Sequence, residues 1–188
     1  MHISTELLQR FDVPGPRYTS YPTADRFVDA YGEAQYIQAL NQRRLGARAH
    51  VVPLSIYVHI PFCASLCYYC ACNKIITGNY GKAVSYLHHL KQEIKLLLPH
   101  LGTGQNVSQL HFGGGTPTFF KDPELMDLMQ TLKSAFQLQP GGEYSIEVDP
   151  RTVDVARIDA LAGMGFNRLS FGVQDFDPAV QKAVHRVQ

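Results

Sequence analysis

All four cysteines of this 188-residue chain lie in one ten-residue stretch, between Cys63 and Cys72. Three of them, Cys63, Cys67 and Cys70, form a C-x3-C-x2-C pattern. Cysteines this close together cannot link distant parts of a chain through disulfides, so the spacing indicates a metal site. Structural zinc uses four ligands, commonly two separated C-x2-C pairs or added histidines, and neither arrangement is present. Three thiolates fit an iron–sulfur cluster that keeps one iron open to another ligand.

The charge balance of the chain limits the classes of partner that it is expected to bind. Lys and Arg number 17 and Asp and Glu 16, which gives a formal net charge of +1. This balance argues against a nucleic-acid or membrane-surface role based on bulk electrostatics. No apolar run approaches the roughly 20 residues that cross a bilayer, and residues 1–10 lack the pattern of a signal or transit peptide. We therefore expect a cytoplasmic protein, since iron-binding thiolates need a reducing compartment.

Strand and helix patterns alternate from Pro53 onward. Short β-branched and aromatic runs predict strands at 54–60, 107–112, 143–149 and 168–174. Apolar residues at helical spacing predict helices over 82–98, 122–136 and 154–164. The expected helix signals are Pro99 and Gly102 as stops, Asp122 as an N-cap, Gly165 as a stop and Asp177 at the start of a last short helix.

This alternation predicts an α/β fold, a parallel sheet with right-handed crossovers that closes into a partial (βα) barrel. In such barrels functional residues lie at the carboxyl ends of the strands. The cysteines follow the first predicted strand and Gly113–Gly115 the second, while Glu147 and Asp149 end the third and Gln174 the fourth. We therefore expect these residues to share one edge of the sheet.

Residues 1–50 are predicted to form an N-terminal arm, and residues 51–188 the barrel. Pro14, Pro16 and Pro22 disfavour a helix in the first part of the arm. This part, residues 14–23, is interpreted as an extended strap that packs across the barrel. A short amphipathic helix is expected around 32–44.

The cysteine stretch and its surroundings resemble the cluster loop of the radical S-adenosylmethionine (SAM) enzymes, and more narrowly that of the oxygen-independent coproporphyrinogen III oxidases. The stretches that carry the resemblance are 14–23, 57–63, 70–73, 111–118, 147–150 and 166–175. The resemblance implies six strand–helix units and a further C-terminal domain. About four units fit this sequence, so we expect it to be an N-terminal fragment that is inactive alone.

The resemblance also implies a role for individual residues. Cys63, Cys67 and Cys70 would hold a 4Fe-4S cluster whose open iron binds SAM, and Cys72, the fourth catalytic cysteine, would lie beside a second SAM molecule. The other implied cofactor contacts are Tyr57, Tyr69, Gly114, Gly115, Thr116, Glu147, Gln174 and Arg186.

Several of these residues also have a purely structural interpretation. Gly113–Gly115 can form a tight turn without a ligand, and Glu147 can pair with an arginine inside the barrel. Tyr57 can belong to the core, Arg186 can be a solvated arginine near the end of the sequence, and Cys72 can be a bystander thiol.

The implied reaction is oxygen-independent oxidative decarboxylation. A 5′-deoxyadenosyl radical would convert two propionate side chains of coproporphyrinogen III to vinyl groups, giving protoporphyrinogen IX in haem biosynthesis. The alternatives are a related haem chaperone or another radical SAM enzyme, and the 14–23 stretch is typical of the oxidases. The reaction requires an electron donor that the sequence does not identify, and a monomer is expected at full length.

Overall fold

The computed structural model describes residues 4–12, 23–46 and 52–188. The strap predicted at 14–23 lies outside these residues except for Thr23. The chain divides into two compact units, Met1–Ala39 and Leu40–Gln188. No helix in the described ranges combines the length and the apolar character that crossing a bilayer requires.

The first unit contains α1 (Thr5–Phe11), a 3-10 turn (Ala24–Arg26) and the beginning of α2 (Glu33–Leu45). Ser4 caps α1, because its Oγ accepts a hydrogen bond from the backbone N–H of Leu7 at 3.2 Å. Helix α2 confirms the helix expected around 32–44.

The second unit is built on a four-stranded parallel sheet. Its elements, in chain order, are β1 (Leu54–Ile60), β2 (Phe62–Cys63), β3 (Ile75–Ile76), α3 (Tyr80–Leu101), β4 (Asn106–Gly114), α4 (Asp122–Ala135), β5 (Gln137–Val148), α5 (Val155–Met164), β6 (Arg168–Phe171) and α6 (Pro178–Ala183). The main sheet has the order β1-β4-β5-β6, and every pair is parallel. The predicted α/β architecture is therefore confirmed.

The hydrophobic core lies between this sheet and the helices. Helix α4 buries Leu125, Leu128, Met129 and Leu132, whose spacing of three and four places them on one side of the helix. Buried strand residues complete the core, among them Leu110, Phe112 and Ile146. Side chains alternate between the two faces of a strand, so the intervening residues are left for the other face. Tyr57, His111 and Ser145, which the register aligns, are such residues.

Helix α3 does not stop at Pro99. It continues through Leu101, whose side chain is buried in the core, and Gly102 caps it with an N–H that donates to the carbonyl of Leu98 at 2.9 Å. The proline removes one N–H donor, but burial of Leu101 keeps the last turn helical. The predicted stop at Pro99 was wrong, while that at Gly102 is confirmed.

Helix α4 begins differently from the expectation. Asp122 is its first helical residue, and the N-cap is Lys121, which makes no side-chain capping bond. The Asp122 carboxylate instead lies 3.2 Å from Nε of Arg157. The predicted N-cap was therefore wrong by one residue, because an ion pair to α5 holds this side chain.

Several strand ends also differ from the prediction, most of all the start of β5 and the end of β6. Strand β5 begins at Gln137, since that residue and Leu138 pair with the start of β4. Strand β6 ends at Phe171, so Gln174 lies beyond the strand, with a left-handed φ of 70°. Gly165 as the stop of α5 and Asp177 at the start of α6 agree with the structure, whereas Asp154, predicted as the first residue of α5, is its N-cap.

Candidate functional site

A cleft of about 560 Å³ opens at the carboxyl ends of the four parallel strands. It is lined by the cysteine loop, the turn after β4, the end of β5 and the segment after β6. Among the residues predicted as cofactor contacts, those that line it are Cys63, Cys67, Tyr69, Cys70, Cys72, Gly114, Gly115, Thr116, Glu147, Gln174 and Arg186. Tyr57 is not among the lining residues. The structure thus brings the other predicted residues together, while their roles remain predictions.

The cysteine loop is closed at its base by the small pair of strands β2 and β3. The N–H of Ile75 donates to the carbonyl of Pro61 at 2.7 Å, and that of Thr77 donates to the carbonyl of Cys63 at 3.0 Å. Inside the loop, Nζ of Lys74 donates to the carbonyl of Cys70 at 2.8 Å. These hydrogen bonds hold both ends of the cysteine loop and its interior. The conformation of the loop is therefore stabilised by contacts within the protein.

The four thiols differ in their environments. Cys67 is buried, Cys63 and Cys70 are partly buried, and Cys72 is exposed. Burial raises the pKa of the Cys63 thiol, and a contact of 3.5 Å between its Sγ and Oγ1 of Thr116 partly offsets this. Burial and the neighbouring Cys70 also raise the pKa of Cys72. Metal binding to such thiols releases protons.

The donor set fits an iron–sulfur cluster. Across the described ranges, no three His, Cys, Asp or Glu side chains converge as they do around a single metal ion. In a cluster each thiolate binds a different iron, so its ligands surround the cluster instead of meeting at one point. Cys63, Cys67 and Cys70 all line the same cleft and offer only sulfur, which favours iron–sulfur chemistry.

The glycines at the end of β4 and directly after it allow this segment to pack closely against the end of β1. A Cβ on Gly115 would lie 2.8 Å from the backbone of Pro61 and Phe62, and one on Gly114 would lie 2.9 Å from the carbonyl oxygen of Ile60. Gly114 also has a φ of 116°, which disfavours any other residue. The structure therefore provides a packing reason for these glycines, and their contact with a ligand remains a prediction.

Glu147 projects into the cleft from β5. Its Oε2 accepts a hydrogen bond from the N–H of Gly114 at 3.2 Å, and its Oε1 lies 3.4 Å from Nε2 of His111. Nδ1 of His111 lies 2.7 Å from Oγ of Ser145. In the described part of the chain the carboxylate contacts these groups and no arginine.

Tyr57 lies beside this network and not in the cleft wall. Its hydroxyl is 3.0 Å from Nδ1 of His59, and its ring stacks on His111 with centroids 5.8 Å apart. Burial, followed by the charge of Glu147, raises the pKa of Tyr57. At 58% exposure the ring is not a core residue.

Arg186 reaches deep into the cleft. Its side chain is only 11% exposed, so the interpretation as a solvated arginine was wrong. Nη2 donates to the carbonyl of Gly172 at 2.8 Å and lies 3.5 Å from Oδ1 of Asp149. Its Nε is buried and lacks a hydrogen-bond partner within the described residues. A buried donor of this kind favours an acceptor supplied by a ligand.

Asp149 is expected from the sequence only as a strand-end residue, and Arg151 is not among the predicted site residues. The Asp149 carboxylate accepts bonds from Nε and Nη2 of Arg151 at 3.0 and 2.7 Å. Burial by itself raises the pKa of Asp149, but the hydrogen bonds from Arg151 and the charge of Arg186 hold it below its ordinary value. The sequence pattern that could have predicted this ion pair is an aspartate at the end of a strand, followed two residues later by an arginine.

The chain is similar to known proteins over most of its length. The pattern of the Radical SAM superfamily matches residues 57–188. The chain is 50% identical, over 185 residues, to the oxygen-independent coproporphyrinogen III oxidase of Pseudomonas aeruginosa, with 97% of this chain and 39% of that protein covered. It is also 50% identical, over 182 residues, to the protein of that name from Escherichia coli, with 97% and 38% covered.

A solved structure of coproporphyrinogen III oxidase from Escherichia coli, described as a radical SAM enzyme, has a TM-score of 0.83 and 48% identity. The alignment covers 96% of this chain and 39% of that one. The chain therefore spans about two fifths of the length of these relatives.

Proposed function

The chain belongs to the Radical SAM superfamily, and from this premise we propose that it provides the cluster- and SAM-binding part of an oxygen-independent coproporphyrinogen III oxidase. Membership of the superfamily implies a 4Fe-4S cluster and SAM. The observation that supports the narrower proposal is the single cleft shared by the cysteine loop, Glu147 and Arg186, in a chain that is 50% identical to relatives of that name.

We assign Cys63, Cys67 and Cys70 as the cluster ligands. When bound, the cluster and SAM supply the one-electron chemistry that generates a 5′-deoxyadenosyl radical, which removes a hydrogen atom from the substrate. The protein keeps these thiols on a loop whose base is closed by β2 and β3. Burial of Cys67 also limits the access of water and oxygen to its sulfur.

The first SAM is proposed to lie against Gly114, Gly115 and Glu147, with Tyr57 and Tyr69 nearby. Glu147 accepts from Gly114 N–H at Oε2 and faces His111 at Oε1. Each oxygen has a further lone pair, and these two contacts orient the carboxylate to accept from ribose hydroxyls. The tight packing of the glycines against β1 brings the main chain to the floor of the cleft.

A second SAM is proposed beside the backbone of Gly115 and the side chains of Cys72, Thr116, Gln174 and Arg186. All four side chains line the cleft. The unpaired Nε of Arg186 is suited to the carboxylate of a methionine group, since charge-assisted hydrogen bonds from guanidinium are strong.

The proposed substrate is coproporphyrinogen III. Hydrogen abstraction at the β-carbon of a propionate, loss of carbon dioxide and transfer of one further electron to an electron acceptor leave a vinyl group, and two such events give protoporphyrinogen IX. An electron donor must supply the cluster. We propose a monomer in the reducing cytoplasm, without nucleic-acid or membrane partners. We also propose no turnover by these 188 residues alone, because they span only about two fifths of the length of the relatives.

The test is anaerobic incubation of the full-length protein, loaded with iron and sulfide, with SAM, dithionite and coproporphyrinogen III. We expect protoporphyrinogen IX and 5′-deoxyadenosine. Haem binding without loss of carbon dioxide would support a haem chaperone instead. Cleavage of SAM without any reaction of the porphyrinogen would point to another radical SAM enzyme.

A further inference from the structure

The segment that follows α6, Val184–Arg186, lies directly against the cysteine loop. The N–H of Tyr68 donates to the carbonyl of Val184 at 3.1 Å, and Nδ1 of His185 lies 2.6 Å from the carbonyl oxygen of Leu66. A carbonyl only accepts, so the His185 ring carries its proton on Nδ1 in this contact. The two bonds hold the backbone on both sides of Cys67.

The His185 ring makes a second, independent contact with the same loop. It stacks on the ring of Tyr68 with centroids 5.2 Å apart and an interplanar angle of 15°. Stacking sets the plane of the imidazole, whereas the hydrogen bond to Leu66 sets its rotation within that plane. Together they leave the ring a single placement.

The backbone of His185 is in an uncommon conformation. Its φ is 56°, in the left-handed region that costs a residue other than glycine about 1 kcal/mol or more. The turn back from α6 requires this conformation, because the N–H groups of His185 and Arg186 donate to the carbonyls of Lys182 and Gln181. This backbone conformation directs the imidazole of His185 toward the cysteine loop.

The segment is itself anchored to rigid elements. Besides its backbone bond to α6, Arg186 donates from Nη2 to the carbonyl of Gly172 after β6 at 2.8 Å. Its Nη1 lies 3.6 Å from Sγ of Cys67. The contacts of Val184–Arg186 with the cysteine loop, called the clamp below, are therefore connected to α6 and to the end of β6.

Each predicted cluster ligand then has its own support. Cys63 is part of β2, and Cys70 is held by its N–H bond to the carbonyl of Cys67 at 3.2 Å and by Lys74. The backbone around Cys67 is supported by residues more than 100 positions later in the chain.

We propose that His185 is a positioning residue that holds the cysteine loop at Cys67 and so keeps this ligand directed into the cleft. The proposal rests on the proposed function in one respect, since it takes Cys67 as a cluster ligand. The clamp itself is a property of the metal-free chain, which allows the two to be tested apart.

Three variants separate the two contacts of the ring. His185→Phe keeps an aromatic ring for Tyr68 and removes the donor to Leu66, whereas His185→Ala removes both. His185→Asn keeps a short N–H donor and suits a left-handed φ. His88→Phe, at an exposed position of α3, is the matched control.

The first measurement is backbone amide exchange at Tyr68 in the metal-free protein. We expect exchange to be about fivefold to tenfold faster in H185F and H185A, close to wild type in H185N, and unchanged in H88F and in the strands of every variant. Wild-type exchange at Tyr68 in H185F, or a uniform acceleration across the sheet, would overturn the proposal. If H185F fails to fold, the comparison of H185N with H185A decides the same point.

The second measurement is the rate at which a ferrous chelator removes iron from the reconstituted protein, followed by the electron paramagnetic resonance of the reduced cluster. We expect faster iron loss and an altered spectrum in H185F, with both restored in H185N. Faster exchange at Tyr68 with an unchanged rate of iron loss would overturn the role at Cys67. A wild-type protein that binds no iron would refute the proposed function and with it that role, whereas the exchange data would still decide whether the clamp exists.

Discussion

Nη1 of Arg186 lies 3.6 Å from Sγ of Cys67, although 119 residues separate the two along the chain. The guanidinium is almost fully buried and also contacts Asp149 and the carbonyl of Gly172. This contact joins the first and last parts of the cleft, and it makes Arg186 a residue of both the cluster region and the proposed second SAM site.

The first prediction concerns the four cysteines. Cys63→Ser, Cys67→Ser and Cys70→Ser should each abolish cluster assembly, because hydroxyl oxygen is a poor substitute for thiolate sulfur on iron. Cys72→Ser should retain the cluster. Iron and sulfide analysis after anaerobic reconstitution measures this. Loss of the cluster in C72S, or stoichiometric zinc in the wild type, would contradict the assignment of the ligands.

The second prediction concerns Arg186. Arg186→Lys should weaken SAM binding by about tenfold, because a lysine cannot keep the planar contacts with Gly172 and Asp149 and also present a donor at the position of Nε. Calorimetric titration of the reconstituted protein with SAM measures the affinity. Arg168→Lys, at an exposed arginine on β6, is the control and should bind SAM as the wild type does. Equal affinity in R186K would remove Arg186 from the site.

The third prediction concerns Glu147. Glu147→Gln should weaken SAM binding by roughly fivefold to tenfold, since a charged acceptor makes stronger hydrogen bonds to hydroxyls than a neutral amide does. Glu143→Gln on the same strand removes only an exposed ion pair with Arg168 and should leave the affinity unchanged. If both variants bind SAM equally well, the ribose contact must lie elsewhere.

The fourth prediction concerns Gly115. Gly115→Ala should lower the free energy of unfolding by about 1–3 kcal/mol, because its Cβ would meet the backbone of Pro61 and Phe62 at 2.8 Å. Gly163→Ala in α5, where a Cβ meets nothing within 4 Å, should be neutral or stabilising by up to about 1 kcal/mol. Urea unfolding of both variants measures the difference. Wild-type stability in G115A would show that β1 and the turn after β4 are less closely packed than described.

The fifth prediction concerns the pH dependence of stability. Because the pKa of Asp149 is held below its ordinary value, its ionised form stabilises the fold above the unfolded pKa of about 4, and this contribution is lost as the pH falls through the lower folded pKa. Asp149→Asn should therefore be less stable than wild type by roughly 2 kcal/mol at neutral pH, and the difference should shrink in acid. Urea unfolding from pH 7 to pH 3 follows this trend.

Asp159→Asn, at an exposed position of α5, is the control for that series and should follow the wild type. A stability difference between D149N and wild type that stays constant down to pH 3 would mean that ionisation of Asp149 is not coupled to folding.

The order of the elements was predictable because the signals for it are local. The β-branched run at Leu54–Ile60 and the helix stop at Gly165 act within a few residues, and the structure confirms both of them. The exceptions were places where tertiary contacts outweighed a local signal. Burial of Leu101 carried α3 past Pro99, and the contact with Arg157 drew Asp122 away from capping α4.

The amino-acid sequence was sufficient to place the cysteine loop, the glycines, Glu147 and Gln174 at or just beyond the ends of successive strands, and a parallel sheet brings such ends to one edge. The folded structure was needed to show that Glu147 contacts Gly114 and His111, that Asp149 is shared by two arginines, and that His185 and Arg186 hold the loop around Cys67. The difference arises from the distance along the chain over which each kind of signal acts. Periodicity and capping are properties of neighbours in sequence, whereas these contacts depend on strand register and on the path of the chain after β6, which local patterns do not encode.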